Sequence, residues 1–339
     1  MTRRAMRSDS MVAAGTEVTA PSRRQPSHRV RGPRRTPFRR RLVPYLLVLP
    51  SLVVIGFVLG YPVYKLFEIS FQRFGLPQIL NMSNHKLGQP PVWVGFANFR
   101  AALTDHQFWT VLWRTLLFTA ANVGATMIIG TWLAVLMRRI VRPLRLALTG
   151  VLIFVWAMPQ LVSVTIWNWL FDQQFGVVNY TLTKIGLGNF LHHNWFENPV
   201  EGFGVVTCVV VWGAIPFIAI TMHAALSQVP DELVEAARVD GAGAWQIFRR
   251  VTFPILRPVV VILTSLSIIW DFQVFTQVFA MRNNRPEPWY YLMSIYAFME
   301  SFRAHNYGYG AALSLIILAV MMGVSVVYVR QMVRIGDLR

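Results

Sequence analysis

The residues of this chain that could do chemistry fall into two sets, both placed against apolar sequence. One lies on a polar island at 229–256 and comprises Glu235, Ala236, Ala237, Asp240, Gly241, Phe248 and Pro254. Carboxylates such as Glu235 and Asp240 make charge-assisted hydrogen bonds to a partner's arginine, and the small residues beside them let another backbone come close. The island has too few large apolar residues to bury itself, which marks it as a docking segment. The other set is Gln160, Trp212, Gly213, Phe217, Trp270, Asp271 and Gln273, joined by Ser163 and Asn168, all within or beside apolar runs. Asp271 carries the strongest signal there. An unpaired charge in hydrocarbon costs roughly 2.5–3.5 kcal/mol on insertion scales, so such a residue is kept for a function or for a hydrogen bond to a neighbouring helix. The aromatic members offer flat faces as well as packing area.

Missing motifs exclude other chemistries. Lys65, Lys86 and Lys184 are the only lysines, and none follows the glycine arrangement of a phosphate-binding loop, so no P-loop nucleotide site is expected. There is no His-Glu-x-x-His, no Gly-x-Ser-x-Gly turn and no carboxylate pair within an apolar run, which leaves a membrane enzyme or self-sufficient channel as the weaker class. His192-His193 lacks further ligands and reads as a solvated loop pair instead of a metal site. Cys208 is the single cysteine, so an internal disulfide is excluded. No cofactor or metal is expected in the chain itself.

The elements that must position these residues are membrane helices. Of 339 residues, 55% are hydrophobic and 14% charged, too apolar for an ordinary soluble domain. Six runs are long enough to cross a bilayer: 43–67, 108–136, 146–171, 203–226, 258–281 and 307–329. The third is interrupted at Pro159 and is polar for a span. Gly56 and Gly60 in the first have a spacing that suits close helix packing. The fold class is therefore an all-α integral membrane protein of six transmembrane helices, with a domain at 43–334 between a basic tail at 1–42 and a short tail at 335–339.

The net charge of +17 does not point to nucleic acid, because twelve of the 32 basic residues lie in the first 42 positions and the others mostly flank the apolar runs. Basic residues number 23 on the side holding both termini and the island, against 7 in the opposite loops. The positive-inside bias places both termini and the island in the cytoplasm of a bacterial cytoplasmic membrane. The first 42 residues read as a disordered tail near anionic lipid. Their arginine pairs are not an export signal, since a full-length span follows in place of a short apolar region with a cleavage site.

Within the island, Pro230 suits a first helical turn and Asp231 and Glu232 complement the positive end of the helix dipole. Leu233, Ala236 and Ala237 form a thin apolar stripe, and Gly241 supplies the freedom for a stop near Asp240. A second periodic set, Ala244, Trp245, Phe248 and Val251, predicts another helix that ends at Pro254. The expectation is helix, bend, helix.

The string Glu235-Ala236-Ala237, three residues, Gly241, and then Pro254 thirteen positions later resembles the EAA loop of the membrane subunits of bacterial ABC importers. Phe248, Phe253 and Pro258 make it similar to the carbohydrate branch, the maltose-type and glycerol-3-phosphate-type permeases. Gly95-Phe96-Ala97-Asn98-Phe99 and Phe175-Gly176-Val177-Val178-Asn179-Tyr180 resemble outer-side stretches of the same family, and Trp212-Gly213-Ala214-Ile215-Pro216 its sugar-contacting helix. The resemblance implies that the loop is a coupling helix held by an ABC ATPase dimer, which binds ATP and Mg. It further implies a second homologous permease subunit, an extracytoplasmic substrate-binding (lipo)protein and a carbohydrate substrate. Glycerol-3-phosphate or its diesters are the alternative; they would want a cationic path, for which Arg114 is the only well-placed arginine. Residues 281–288 depart from the Thr-x-Gly-Gly-Pro-like turn of many relatives, which puts contacts with the binding protein there in doubt.

Overall fold

In the computed structural model, which describes residues 38–83 and 88–336, the apolar sequence becomes helix almost throughout. In chain order the elements are α1 (Phe38–Ser70), β1 (Gln72–Arg73), α2 (Leu76–Ser83), β2 (Val92–Trp93), α3 (Ala97–Thr104), α4 (His106–Arg139), α5 (Arg142–Trp156), α6 (Gln160–Leu170) and α7 (Val177–Lys184). They continue with α8 (Pro199–Leu226), α9 (Asp231–Val239), α10 (Ala244–Ile247), α11 (Phe253–Phe272), α12 (Thr276–Met281), α13 (Met293–Phe298) and α14 (Tyr307–Gly336). Among the described residues, five helices are long and apolar enough to cross a bilayer, and α5 with α6, bent by 100°, makes a sixth if the pair is one span. The bend falls before Pro159, whose ring disfavours helical backbone at Met158.

The expected tails at 1–42 and 335–339 lie mostly outside the described residues, but α1 already begins at Phe38 and α14 runs to Gly336. The chain divides into two units, Met1–Phe57 and Val58–Arg339. The described part of the first is the opening of α1, where Tyr45, Leu47, Leu52, Val53 and Phe57 are exposed, as lipid-facing side chains are.

The second unit is built on α4 against α8. Lipid tails are as apolar as these side chains, so close packing and not water expulsion holds the pair. Gly130 shows how close: a Cβ there would meet Ile218 Cγ2 at 2.6 Å. One core around Phe118, Val206, Val209, Val278 and Ile295 joins α4, α8, α12 and α13. Another around Phe108, Phe272, Tyr296 and Leu313 joins α4, α11, α13 and α14.

The two loop motifs around Asn98 and Asn179 turn out to be fastenings. Asn98 donates to the carbonyls of Ser70 and Gln72 at 2.8 and 3.0 Å, while Trp93, Phe96 and Phe99 gather on Phe71 with ring centroids 5.1–5.5 Å away. Asn179 receives the Trp195 indole N–H and donates to the His193 carbonyl. His193 is not a free loop histidine either, since its Nε2 lies 2.8 Å from Glu201 at the start of α8.

Residues 282–304 are helical over much of their length instead of forming a plain loop, because Met293, Ile295, Tyr296 and Met299 are buried and tie α13 to the cores. The segment that departs from the familiar turn is clasped by Arg282, which pairs with Glu287 and stacks 4.8 Å from the Tyr290 ring. Hydrogen bonds from Arg282 hold the Glu287 carboxyl below the usual carboxylate range.

Candidate functional site

The second set of chemistry-bearing residues converges on one cavity of about 410 Å³. From α6 come Gln160 and Ser163; from α8, Trp212, Gly213 and Phe217; from α11, Trp270 and Asp271; and Gln273 follows at the α11 C-cap. Asn168, grouped with them by type, is not among the lining residues.

Local chemistry explains how each is placed. Pro216 has no N–H for the carbonyl four residues back, so the Trp212 carbonyl is released from the usual helical bond just where the wall of the cavity runs. Nothing lies within 4 Å of a Cβ built on Gly213, which keeps the space beside Trp212 open. The Trp212 indole is braced edge-on by Trp167 at 5.9 Å, and Phe217 braces Trp270 at 5.2 Å. Rings fixed in this way present faces without losing rotamer freedom on binding. Asp271 is 4% exposed and its Oδ2 has no hydrogen-bond partner among the described residues. A buried polar atom left unpaired costs about 1–3 kcal/mol, so a solute hydroxyl or amide that satisfied it would gain that much.

Sequence reasoning missed Trp156, at the end of α5, and Gln277, on α12, both of which line the cavity. Gln277 was legible in principle, four residues after Gln273 and so on the same helical face. It was placed in one long fifth span, however, whereas α11 stops at Phe272 and α12 begins at Thr276. Arg114 is elsewhere: its Nη1 donates to the carbonyls of Pro288 and Tyr291, both at 3.0 Å, and it fastens the segment between α12 and α13 to α4.

The island forms the other half of the site. α9 has no buried residue, and Leu233, Val239 and Trp245 are 48%, 88% and 68% exposed. Leu233 and Val239 on α9 and Trp245 on α10 are thus large apolar side chains left in the open on two short helices. The stop after Asp240 is a Schellman turn: Gly241 has φ +81°, its N–H bonds to the Arg238 carbonyl and that of Ala242 to the Ala237 carbonyl, both at 3.0 Å. Only glycine takes that backbone freely.

The expected end at Pro254 is a correction. Helix runs without a break from Ala244 to Phe272. The π-helical turn Phe248–Thr252 precedes the proline, with the Phe253 N–H bonded to the carbonyl of Phe248 five residues back. This wider turn makes room for the Pro254 ring that a regular helix would lack. Consequently the island and the cavity share one rod, with Trp245 and Phe248 stacked at one end and Trp270 and Asp271 at the other. Arg138, at the end of α4, bonds to the Leu226 carbonyl and to Asp231, tying α9 to the bundle. Asp231 is 78% exposed, so this pair is worth at most about 1 kcal/mol. Glu235 lies with Asp231, Arg138, Arg139 and Arg238 around an adjoining recess of about 300 Å³.

A family model described as "Binding-protein-dependent transport system inner membrane component" matches residues 126–335. The chain is 37% identical over 289 residues to the diacetylchitobiose uptake system permease protein DasB of Streptomyces coelicolor, covering 85% of this chain and 86% of that protein. It is 30% identical over 293 residues to the sulfoquinovosyl glycerol transport system permease protein SmoG of Agrobacterium fabrum, covering 86% and 90%. Among solved structures, a bacterial ABC transporter involved in the import of the acidic polysaccharide alginate matches with a TM-score of 0.70 at 19% identity, over 88% of this chain and 97% of that one, a likeness of fold alone.

Proposed function

As this chain belongs to the family of binding-protein-dependent transport system inner membrane components, we propose that its cavity between α6, α8 and α11 is the path by which a carbohydrate crosses the bilayer. The chain is a multi-pass permease subunit of the cytoplasmic membrane and a transport component without an ATPase site of its own. The observation that carries the sugar reading is the convergence of two braced indoles, an unpartnered carboxyl and four amide or hydroxyl side chains on one cavity. Pyranoses offer flat C–H faces to such rings and hydroxyls to such polar groups. The relative DasB, a permease of a diacetylchitobiose uptake system, supports the same class. Glycerol-3-phosphate is less suited, because Arg114 is committed to the carbonyls of Pro288 and Tyr291.

In this reading an ABC ATPase dimer, holding ATP and Mg, grips the island; Glu235, Ala236, Ala237, Asp240 and Gly241 form the docked face, and Phe248 and Pro254 the passage into α11. A second homologous permease subunit completes the path, and an extracytoplasmic binding protein delivers the sugar. Closure of the ATPases moves α9, and the unbroken run from Ala244 to Phe272 carries that motion to Trp270 and Asp271. ATP-driven uptake of a panel of labelled neutral di- and trisaccharides by the reconstituted complex tests the reading, and uptake of none of them would overturn it.

Orientation is a separate expectation, resting on the 23-to-7 basic asymmetry. With Cys208→Ser as background, Lys184→Cys and Arg285→Cys are expected to react with an impermeant thiol reagent added to intact cells, and Arg249→Cys only after lysis. Asn179 is unsuited to this use, being 3% exposed and hydrogen-bonded on both sides of its amide. Labelling of Arg249→Cys in intact cells would invert the topology.

A further inference from the structure

We infer that the cavity is charge-selective: it admits neutral sugars and turns away acidic ones such as uronates, with Asp271 as the residue that sets the preference. The inference deepens the sugar-path reading and rests on it. Among the described residues, Asp271 is the only ionisable side chain that lines the cavity, and no lysine or arginine joins it there. The one arginine in the outer half of α4, Arg114, has its Nη1 donating to two backbone carbonyls and does not line the cavity. Asp271 itself is buried with Oδ2 unpartnered, so when its carboxyl is ionised no cation among the described residues offsets the field it sets up in the cavity. Coulomb interactions between groups held in a poorly solvated space are stronger than in water, and a cavity with low-dielectric walls focuses the field of a single carboxylate along its length. The remaining lining groups, Gln160, Ser163, Gln273 and Gln277, are uncharged and serve hydroxyls equally well whichever sugar is present. Fold does not decide this property: the transporter involved in import of the acidic polysaccharide alginate has a similar fold. The discrimination therefore lies in the side chains.

A pair of charged thiol reagents reads the cavity directly. In the assembled complex carrying Cys208→Ser, a cysteine at Gln160 or Gln277 is treated with a cationic or an anionic methanethiosulfonate, and each rate is divided by that reagent's rate with a free thiol. The expected ratio is about tenfold in favour of the cation. It falls toward one in Asp271→Asn, and it also shrinks on raising salt in the background that keeps Asp271, a second readout that does not depend on the substitution folding well. Equal normalised rates with Asp271 present, a ratio indifferent to Asp271→Asn and to salt, or no reaction at either position would each overturn the inference. A ratio that behaves as expected while no neutral sugar is imported would instead fail the sugar-path reading and leave a charge-selective cavity.

Discussion

Replacing Glu235 with lysine is expected to abolish ATP-driven uptake while the chain still inserts into the membrane. Glu235 is exposed on α9, a helix with no buried residue, so the substitution leaves the packing of the bundle untouched. What it changes is the charge on the face we propose the ATPase grips. A carboxylate bonded to a partner's arginine contributes about 1.5–3 kcal/mol, and a like charge in its place costs more again. Within the chain, the new ammonium would also face Arg138, Arg139 and Arg238 around the same recess. Together these predict a fall in affinity for the ATPase of about a hundredfold or more. Co-purification of the ATPase with the permease and receptor-stimulated ATP hydrolysis measure it. Normal co-purification with normal uptake would remove Glu235 from the coupling contact.

Trp212→Ala and Asp271→Ala are each expected to cut uptake at least about tenfold when the rate is normalised to assembled complex. For Trp212 the loss is of a stacking face that Trp167 holds in place; for Asp271 it is of a buried acceptor, and sites built to hydrogen-bond a substrate discriminate strongly when one member is missing. A purely structural role predicts a different pattern. Removing a large aromatic side chain from a packed site costs about 3–5 kcal/mol, which would appear as less assembled complex or a lower unfolding temperature, with normal uptake per complex that remains. Asp271 sharpens the contrast, because its Oδ2 makes no hydrogen bond within the described residues: its loss should scarcely destabilise the bundle. Normal uptake per complex in both variants would exclude the pair from the path.

Much of this protein was legible in one dimension. Hydrophobic length alone located the first, second, fourth and last spans, since a helix that crosses a bilayer must satisfy its backbone internally and cover its length with apolar side chains. The family was legible in the island, because its acids, small residues and glycine stand at the spacings of the family's EAA loop. Gly241 is the clearest case: a Schellman turn needs positive φ at one position, and the residue type declares it. The cavity-lining residues were identifiable as a group by the same logic, since polar groups in apolar runs are costly and so are seldom incidental.

What the tertiary structure decided is where local signals conflict or are silent. Pro254 reads as a helix stop, yet a π-helical turn just before it absorbs the ring and makes the island continuous with α11; the turn is chosen by packing, which no periodicity reveals. The break between α11 and α12 contains neither glycine nor proline, so Gln277 reached the cavity unannounced. Arg114 and Asp271 are both charged residues in apolar spans and look alike in sequence. Only the fold separates them, giving Arg114 two carbonyl acceptors and leaving Asp271 Oδ2 unpaired beside the cavity. Residue type and spacing are local properties and can be read along the chain. Whether a buried polar group finds a partner depends on which other segment folds against it, and that is fixed by the packing of the whole bundle.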